Sequence, residues 1–262
     1  MTKPPTARLD RLLANLGYGS RREVQGLVED GRVTLDAAVL ARADQRIAVT
    51  PDLVQRMRVA GAPLDPPCPL TLIVHKPLGL VCSHTEPGRS IYELLPQRWR
   101  RREPALSTIG RLDKDTSGLL LMTDDGGLLH RIISPRSHVT KRYHVTLESP
   151  FRGDEAEVFA SGTLLLEGEA KPLAPATLEV LSPQAGWLTI SEGRYHQVRR
   201  MFAAMNNLVT ALHRDRMGGL DLPEDLAAGD YRPLSEAELG RVLARAGSAT
   251  KMLATHSSRA SG

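Results

Sequence analysis

Three polar stretches carry residue types that could do chemistry. The first is Gly110-Arg111-Leu112-Asp113-Lys114-Asp115-Thr116-Ser117-Gly118. It sits inside the longer run Thr108–Gly127 and ends against the apolar residues Leu119–Met122, too short for a helix and right for a buried strand. A carboxylate on a short turn between buried strands is rigidly held, which suits a nucleophile or a general base. The second is Lys141-Arg142-Tyr143-His144-Val145, at the head of an alternating strand whose Tyr143, Val145 and Leu147 share one face, with Lys141 at its entrance. The third is Glu192-Gly193-Arg194-Tyr195-His196-Gln197-Val198-Arg199-Arg200-Met201, a turn leading into a helix.

Other chemistries fit less well. Asp113, Asp115, Asp124 and Asp125 have no His or Cys at ligand spacing, so no metal is expected. Ser117 lacks a G-x-S-x-G elbow, and no phosphate-cradling loop is present. Asp124 and Asp125 read as a turn and helix cap. Taken singly, Asp113 is equally a turn residue, Tyr143 a core residue and Arg199 a solvated helix residue.

The elements around these stretches imply two parts. Leu9, Leu12, Leu13 and Leu16 lie at helical spacing over residues 8–16, with Gly17 as a cap. Ser20-Arg21-Arg22-Glu23 reads as a capping box opening a second helix. Strands are expected at 32–36, near 38–40 and at 55–59. Residues 1–7 and 247–262 are expected to be disordered, and Gly61–Leu70, with four prolines, to be a semi-rigid linker. The second part then runs over 71–246, with strands outnumbering helices and no regular βαβ alternation. The class is α+β, with a mostly antiparallel mixed sheet flanked by helices. Arg98-Trp99-Arg100-Arg101-Arg102 reads as a stacking and phosphate site or as a loop with Trp99 in the core.

Charge is uneven. The net charge is +4, but residues 1–60 hold ten basic and seven acidic residues, and residues 241–262 hold four basic and none acidic. Basic ends around a mildly acidic middle suit a polyanion. No stretch of about 18 apolar residues occurs and the start lacks an apolar signal core, so a cytoplasmic protein with no membrane partner is expected. Cys68 and Cys82 are expected as reduced thiols.

Residues 8 to about 60 resemble an S4-like RNA-binding domain, which implies that Arg21, Arg22 and Arg32 face RNA phosphates. Two arginines at a helix start oppose its dipole, and a docked phosphate would offset that. Asp36-Ala37 replaces the Asn-Gly common in that family's hairpin. With HKPLG (75–79) upstream and EGRYHQVRRMF downstream, GRLDKDTSG resembles the pseudouridine synthase superfamily, and SPRSH, VTLESP and FAAM narrow the likeness to its small-subunit ribosomal branch. The resemblance implies an isomerase that needs no cofactor and acts, as a monomer, on 16S ribosomal RNA or an assembly intermediate. It implies Asp113 as nucleophile, Arg199 paired with Asp113, Tyr143 stacked on the uracil and Arg111 filling the gap left by a flipped uridine. Lys76 is either site support or a turn residue. A 23S-directed relative and a non-catalytic ribosome-assembly protein are the competing readings.

Overall fold

A computed structural model describes residues 4–83 and 85–244; the expected basic tail at 247–262 lies outside them. The chain divides into two compact units. One holds the described residues up to Thr71 with Tyr92–Ser107 and Met122–Gly126, and the other holds the remainder.

In the first unit the order is β1 (Thr6–Arg8), α1 (Leu9–Asn15), α2 (Arg21–Glu29), β2 (Val33–Leu35), β3 (Ala38–Val39), β4 (Arg46–Ala48), α3 (Leu53–Arg56), β5 (Met57–Val59) and β6 (Ala62–Pro63). The leucines of α1 turn inward: Leu9, Leu12, Leu13 and Leu16 pack with Val24, Val28, Val33, Met57 and Leu64. The α2 capping box is complete, with Ser20 accepting from the Glu23 amide and Glu23 accepting from the Ser20 amide. Two expectations change. Residues 6 and 7, read as disordered, and Arg8, read as the helix start, pair with β4 because β1 can complete a two-stranded ribbon there. Within the proline-rich segment, Ala62–Pro63 pair with β5 and Leu64 joins the core.

The β2–β3 hairpin forms without Asn-Gly. Asp36 (φ +49) and Ala37 (φ +66) both take the left-handed region that the tight turn demands. Arg56 holds the Asp36 carboxylate at 2.6 Å. Trp99 is buried, and the neighbouring arginines are used internally: Arg98 pairs with Asp65, and Arg102 with Asp124 at 2.9 Å with both side chains fully buried. Asp124 also accepts from the Leu70 amide, so it is an anchor rather than the helix cap expected of it.

The chain continues with β7 (Thr71–Lys76), β8 (Ser107–Thr108), β9 (Thr116–Thr123), α4 (Gly126–Ile133), β10 (Lys141–Leu147), α5 (Glu155–Ser161), β11 (Thr177–Ser182), β12 (Ala185–Ile190), α6 (Gln197–Ala204), β13 (Val209–Met217), β14 (Leu220–Asp221), β15 (Tyr231–Pro233) and α7 (Glu236–Leu243), which belong to the second unit except for the end residues Thr71, Ser107, Met122, Thr123 and Gly126. The sheet order is β11-β12-β10-β13-β9-β7-β15, with β14 on β13 and β8 on β9. Most recorded pairings are antiparallel, while β13 and β9 run parallel, so the sheet is mixed. Ile73, Leu119, Leu121, Leu128, Ile132 and Val242 build the core against α4 and α7. Two strands exceed expectation. The sequence predicts a turn at Thr116-Ser117-Gly118 and a strand over Val209–His213 followed by a basic turn, whereas β9 already begins at Thr116 and β13 runs on to Met217.

Candidate active site

The turn bearing Asp113 is shaped from below. Lys76 ends β7 with its side chain fully buried, and its ammonium donates to the carbonyls of Asp113 (2.9 Å), Thr116 (2.8 Å), Pro77 (3.1 Å) and Lys114 (3.4 Å). Burial pushes its pKa down, and the charges of Cys82, Asp113 and Asp115 oppose that. A turn whose carbonyls converge on one ammonium cannot relax without leaving buried acceptors unpaired. The Gly79 amide donates to the Lys114 carbonyl, and the Thr116 amide closes the turn onto the Asp113 carbonyl. Lys76 is therefore the support of the turn.

Asp113 opens into a cavity of about 530 Å³. Arg111, Tyr143, Arg199, Lys141, His196 and Arg214 are among its lining residues. The three stretches singled out by residue type thus meet in one place. Tyr143 is buried on β10, as its alternation implies. Arg111 stands exposed and pairs with Glu86 at 2.7 Å.

The expected Asp113–Arg199 pair does not form. Arg199 donates instead to the carbonyls of Val209 (2.8 Å) and Asp115 (3.1 Å), and its nearest carboxylate is that of Asp115 at 4.0 Å. The partner at Asp113 is His196, whose Nε2 lies 3.5 Å from Oδ1. The reason is local: His196 precedes α6 in the left-handed conformation (φ +47), which turns its ring toward the carboxylate, while Arg199 is held by backbone acceptors. Arg194 and Arg200, from the same motif, serve structure. Arg194 binds Glu192 and Glu169, and Arg200 binds Glu169, whose carboxyl both arginines hold below the usual range, Arg200 more than Arg194.

Sequence reasoning missed two residues here. His196 stood inside a quoted motif, but only the backbone shows which way it faces. Arg214 was hidden by ending β13 too early. The alternation of the buried positions Leu212, Arg214 and the strand-end Met217 is broken by a bulge facing Arg142/Tyr143.

Among the described residues, no group of three or more His, Cys, Asp or Glu could hold a metal ion, and no helix is long and apolar enough to cross a membrane. Arg21 and Arg22 in the first turn of α2, and Arg32 before β2, are exposed and have no ion-pair partner among the described residues.

Comparison with known proteins decides the family. The model of the RNA pseudouridylate synthase family matches residues 71–204, and that of the S4 domain matches residues 7–48. The chain belongs to the RNA pseudouridylate synthase family. It is 45% identical over 241 residues to the ribosomal small subunit pseudouridine synthase A of Escherichia coli K12, covering 90% of this chain and all of that one. It is 42% identical to an uncharacterized RNA pseudouridine synthase of Bacillus subtilis, covering 88% and 96%. Among solved structures, one described as a pseudouridylate synthase matches with a TM-score of 0.62 and 34% identity, over 90% of this chain and 99% of that one. As an RNA pseudouridine synthase the chain is an isomerase, and its α+β catalytic fold behind an S4 domain agrees with the sequence reading.

Proposed function

We propose that this pseudouridine synthase isomerises one uridine of small-subunit ribosomal RNA, with Asp113 as nucleophile. The supporting observation is the cavity that brings Tyr143 of β10 and Arg199 of α6 to Asp113, whose turn Lys76 immobilises. Isomerisation breaks the N1–C1′ bond, turns the base and joins C5 to C1′. An ionised carboxylate that can form and release a covalent bond serves this without redox chemistry. The target atoms are inaccessible in a stacked helix, so the uridine must leave the stack. Tyr143 presents a ring for the uracil to stack on. Exposed Arg111 reaches into the vacated place. Arg199 fixes the turn through the Asp115 carbonyl. Arg21, Arg22 and Arg32 hold RNA phosphates on the S4 domain. The protein acts in the cytoplasm, as a monomer, on the RNA or an assembly intermediate.

The name of the Escherichia coli relative supports the small-subunit target. Purified protein should release tritium from transcripts of small-subunit RNA carrying 5-tritiated uridine, and not from large-subunit transcripts. Release only from large-subunit RNA contradicts the target. No release from either contradicts the activity.

A further inference from the structure

Two cations line the interior of the Asp113 cavity with no carboxylate paired to either. Arg214 lies in β13 and is 2% exposed. Its backbone is fixed opposite Gly118 of β9, where a β-carbon would collide with the Arg214 main chain. Its Nε donates to the Leu119 carbonyl at 2.8 Å and its Nη1 to the Tyr143 hydroxyl at 3.4 Å. Its Nη2 is buried with no partner. The Oγ1 of Thr116 and the Nε of Arg199, in the same lining, are also buried and unpartnered. Lys141 lies two residues before Tyr143 on β10, and both side chains line the cavity. Its ammonium makes no hydrogen bond or ion pair among the described residues. Buried donors left without partners on residues that line a cavity point to a ligand that supplies acceptors.

We propose that Lys141 and Arg214 form a cationic hole for the uracil itself, donating to its carbonyl oxygens and taking the negative charge that the base acquires as the N1–C1′ bond breaks. This rests on the isomerase reading and adds two residues to it. When N1–C1′ breaks, the electron pair leaves with the base and spreads from N1 onto O2 and O4. If Asp113 first adds to C6, the displaced pair reaches O4. Either route charges a carbonyl oxygen of the ring. Attack of C5 on C1′ then returns the pair to a carbon–carbon bond, the bond from Asp113 to C6 or C1′ breaks as the carboxylate leaves with its electron pair, the C5 proton is lost and N1 is protonated, so the sum is an isomerisation. Donors already aimed at the developing oxyanion need no reorganisation, and water is excluded around them.

Burial distinguishes the base from a phosphate. A phosphodiester stays tethered to two nucleotides at the mouth, whereas a 2% exposed guanidinium is reached only by an extruded base. Arg214 also touches the hydroxyl of Tyr143, the ring on which the uracil is proposed to stack. The electrostatics agree. Burial, then the charge of Arg214, pushes Lys141 down to about 8, with Glu192 after β12 acting the other way. Arg111 and Asp113 before β9, Arg194 and His196 before α6 and Arg199 within it are the other acidic or basic side chains lining the cavity.

The test compares wild type, Lys141→Met and Lys141→Arg on a small-subunit RNA fragment. Lys141→Met should lower the single-turnover rate about 100-fold or more and leave the RNA dissociation constant and its salt dependence unchanged. The kcat/KM of the wild type, which reports the free enzyme, should fall above about pH 8. Lys141→Arg should recover part of the rate and move that alkaline loss upward, because a guanidinium does not titrate there. A structural role for Lys141 would not shift the profile. A Lys141→Met rate within about threefold of wild type, a weakened and less salt-dependent affinity, or an alkaline limb unmoved by Lys141→Arg overturns the proposal. If Lys141→Met does not fold, the wild-type and Lys141→Arg profiles decide. A wild type inactive on every ribosomal fragment overturns the isomerase reading beneath it.

Discussion

At the scale of single residues, the site separates groups that react from groups that hold. Asp113 is about one-third exposed and its recorded side-chain partner is the His196 imidazole at 3.5 Å, so its carboxylate contributes little to stability. Lys76 is the reverse case: fully buried, it touches only backbone carbonyls. Lys76→Met should cost roughly 3 kcal/mol or more, because the carbonyls of Asp113 and Thr116 lose their donor in a buried place. Urea unfolding and single-turnover rates should fall together in that variant. Residue types alone marked Asp113, Tyr143 and Arg199. They could not show that Arg199 binds the Asp115 carbonyl while His196 meets Asp113, since that depends on the left-handed backbone at His196.

Elements were legible where side-chain periodicity or cap chemistry is local. The leucines of α1, the capping box of α2 and the alternation of β10 each emerged as read. Ends set by long-range pairing did not. β1 exists because β4 pairs with it, and the start of β9 and the end of β13 depend on their parallel contact at Gly118 and Arg214. The β2–β3 turn carries a built-in cost, since Ala37 holds φ at +66. Ala37→Gly should stabilise the protein by about 1 kcal/mol, read as a higher urea midpoint at unchanged slope. In α7 the hydrogen bond from Arg232, aided by Ser235, pulls the Glu238 carboxyl down to about 2. A depressed carboxyl stabilises the fold above its unfolded pKa of about 4.3 and loses that contribution as pH falls toward the folded value. Glu238→Gln should therefore cost roughly 2 kcal/mol at pH 7, after allowance for the partly exposed Arg232. The gap to wild type should close between about pH 5 and pH 2.

For the molecule as a whole, the charge distribution made an RNA partner plausible before any motif was considered, and the S4 domain now accounts for the basic first 60 residues. Compactness was less legible. Segments at 92–107 and 122–126 cluster with the first unit, through contacts such as Arg98–Asp65 and the Leu70 amide on Asp124 that no local pattern announces. If Arg21, Arg22 and Arg32 meet phosphates, replacing all three by Ala should reduce the slope of log affinity against log salt by roughly 2. A nitrocellulose titration at several salt concentrations measures it, and an unchanged slope assigns RNA holding to other residues. The central claim is that Asp113 converts a uridine of small-subunit RNA. Carbodiimide mapping of pseudouridine across both ribosomal RNAs tests it most directly, in cells of the source organism carrying the wild-type chain, Asp113→Asn or no copy. One small-subunit site present with wild type and absent from the other two is the predicted result. A site that persists with Asp113→Asn contradicts it.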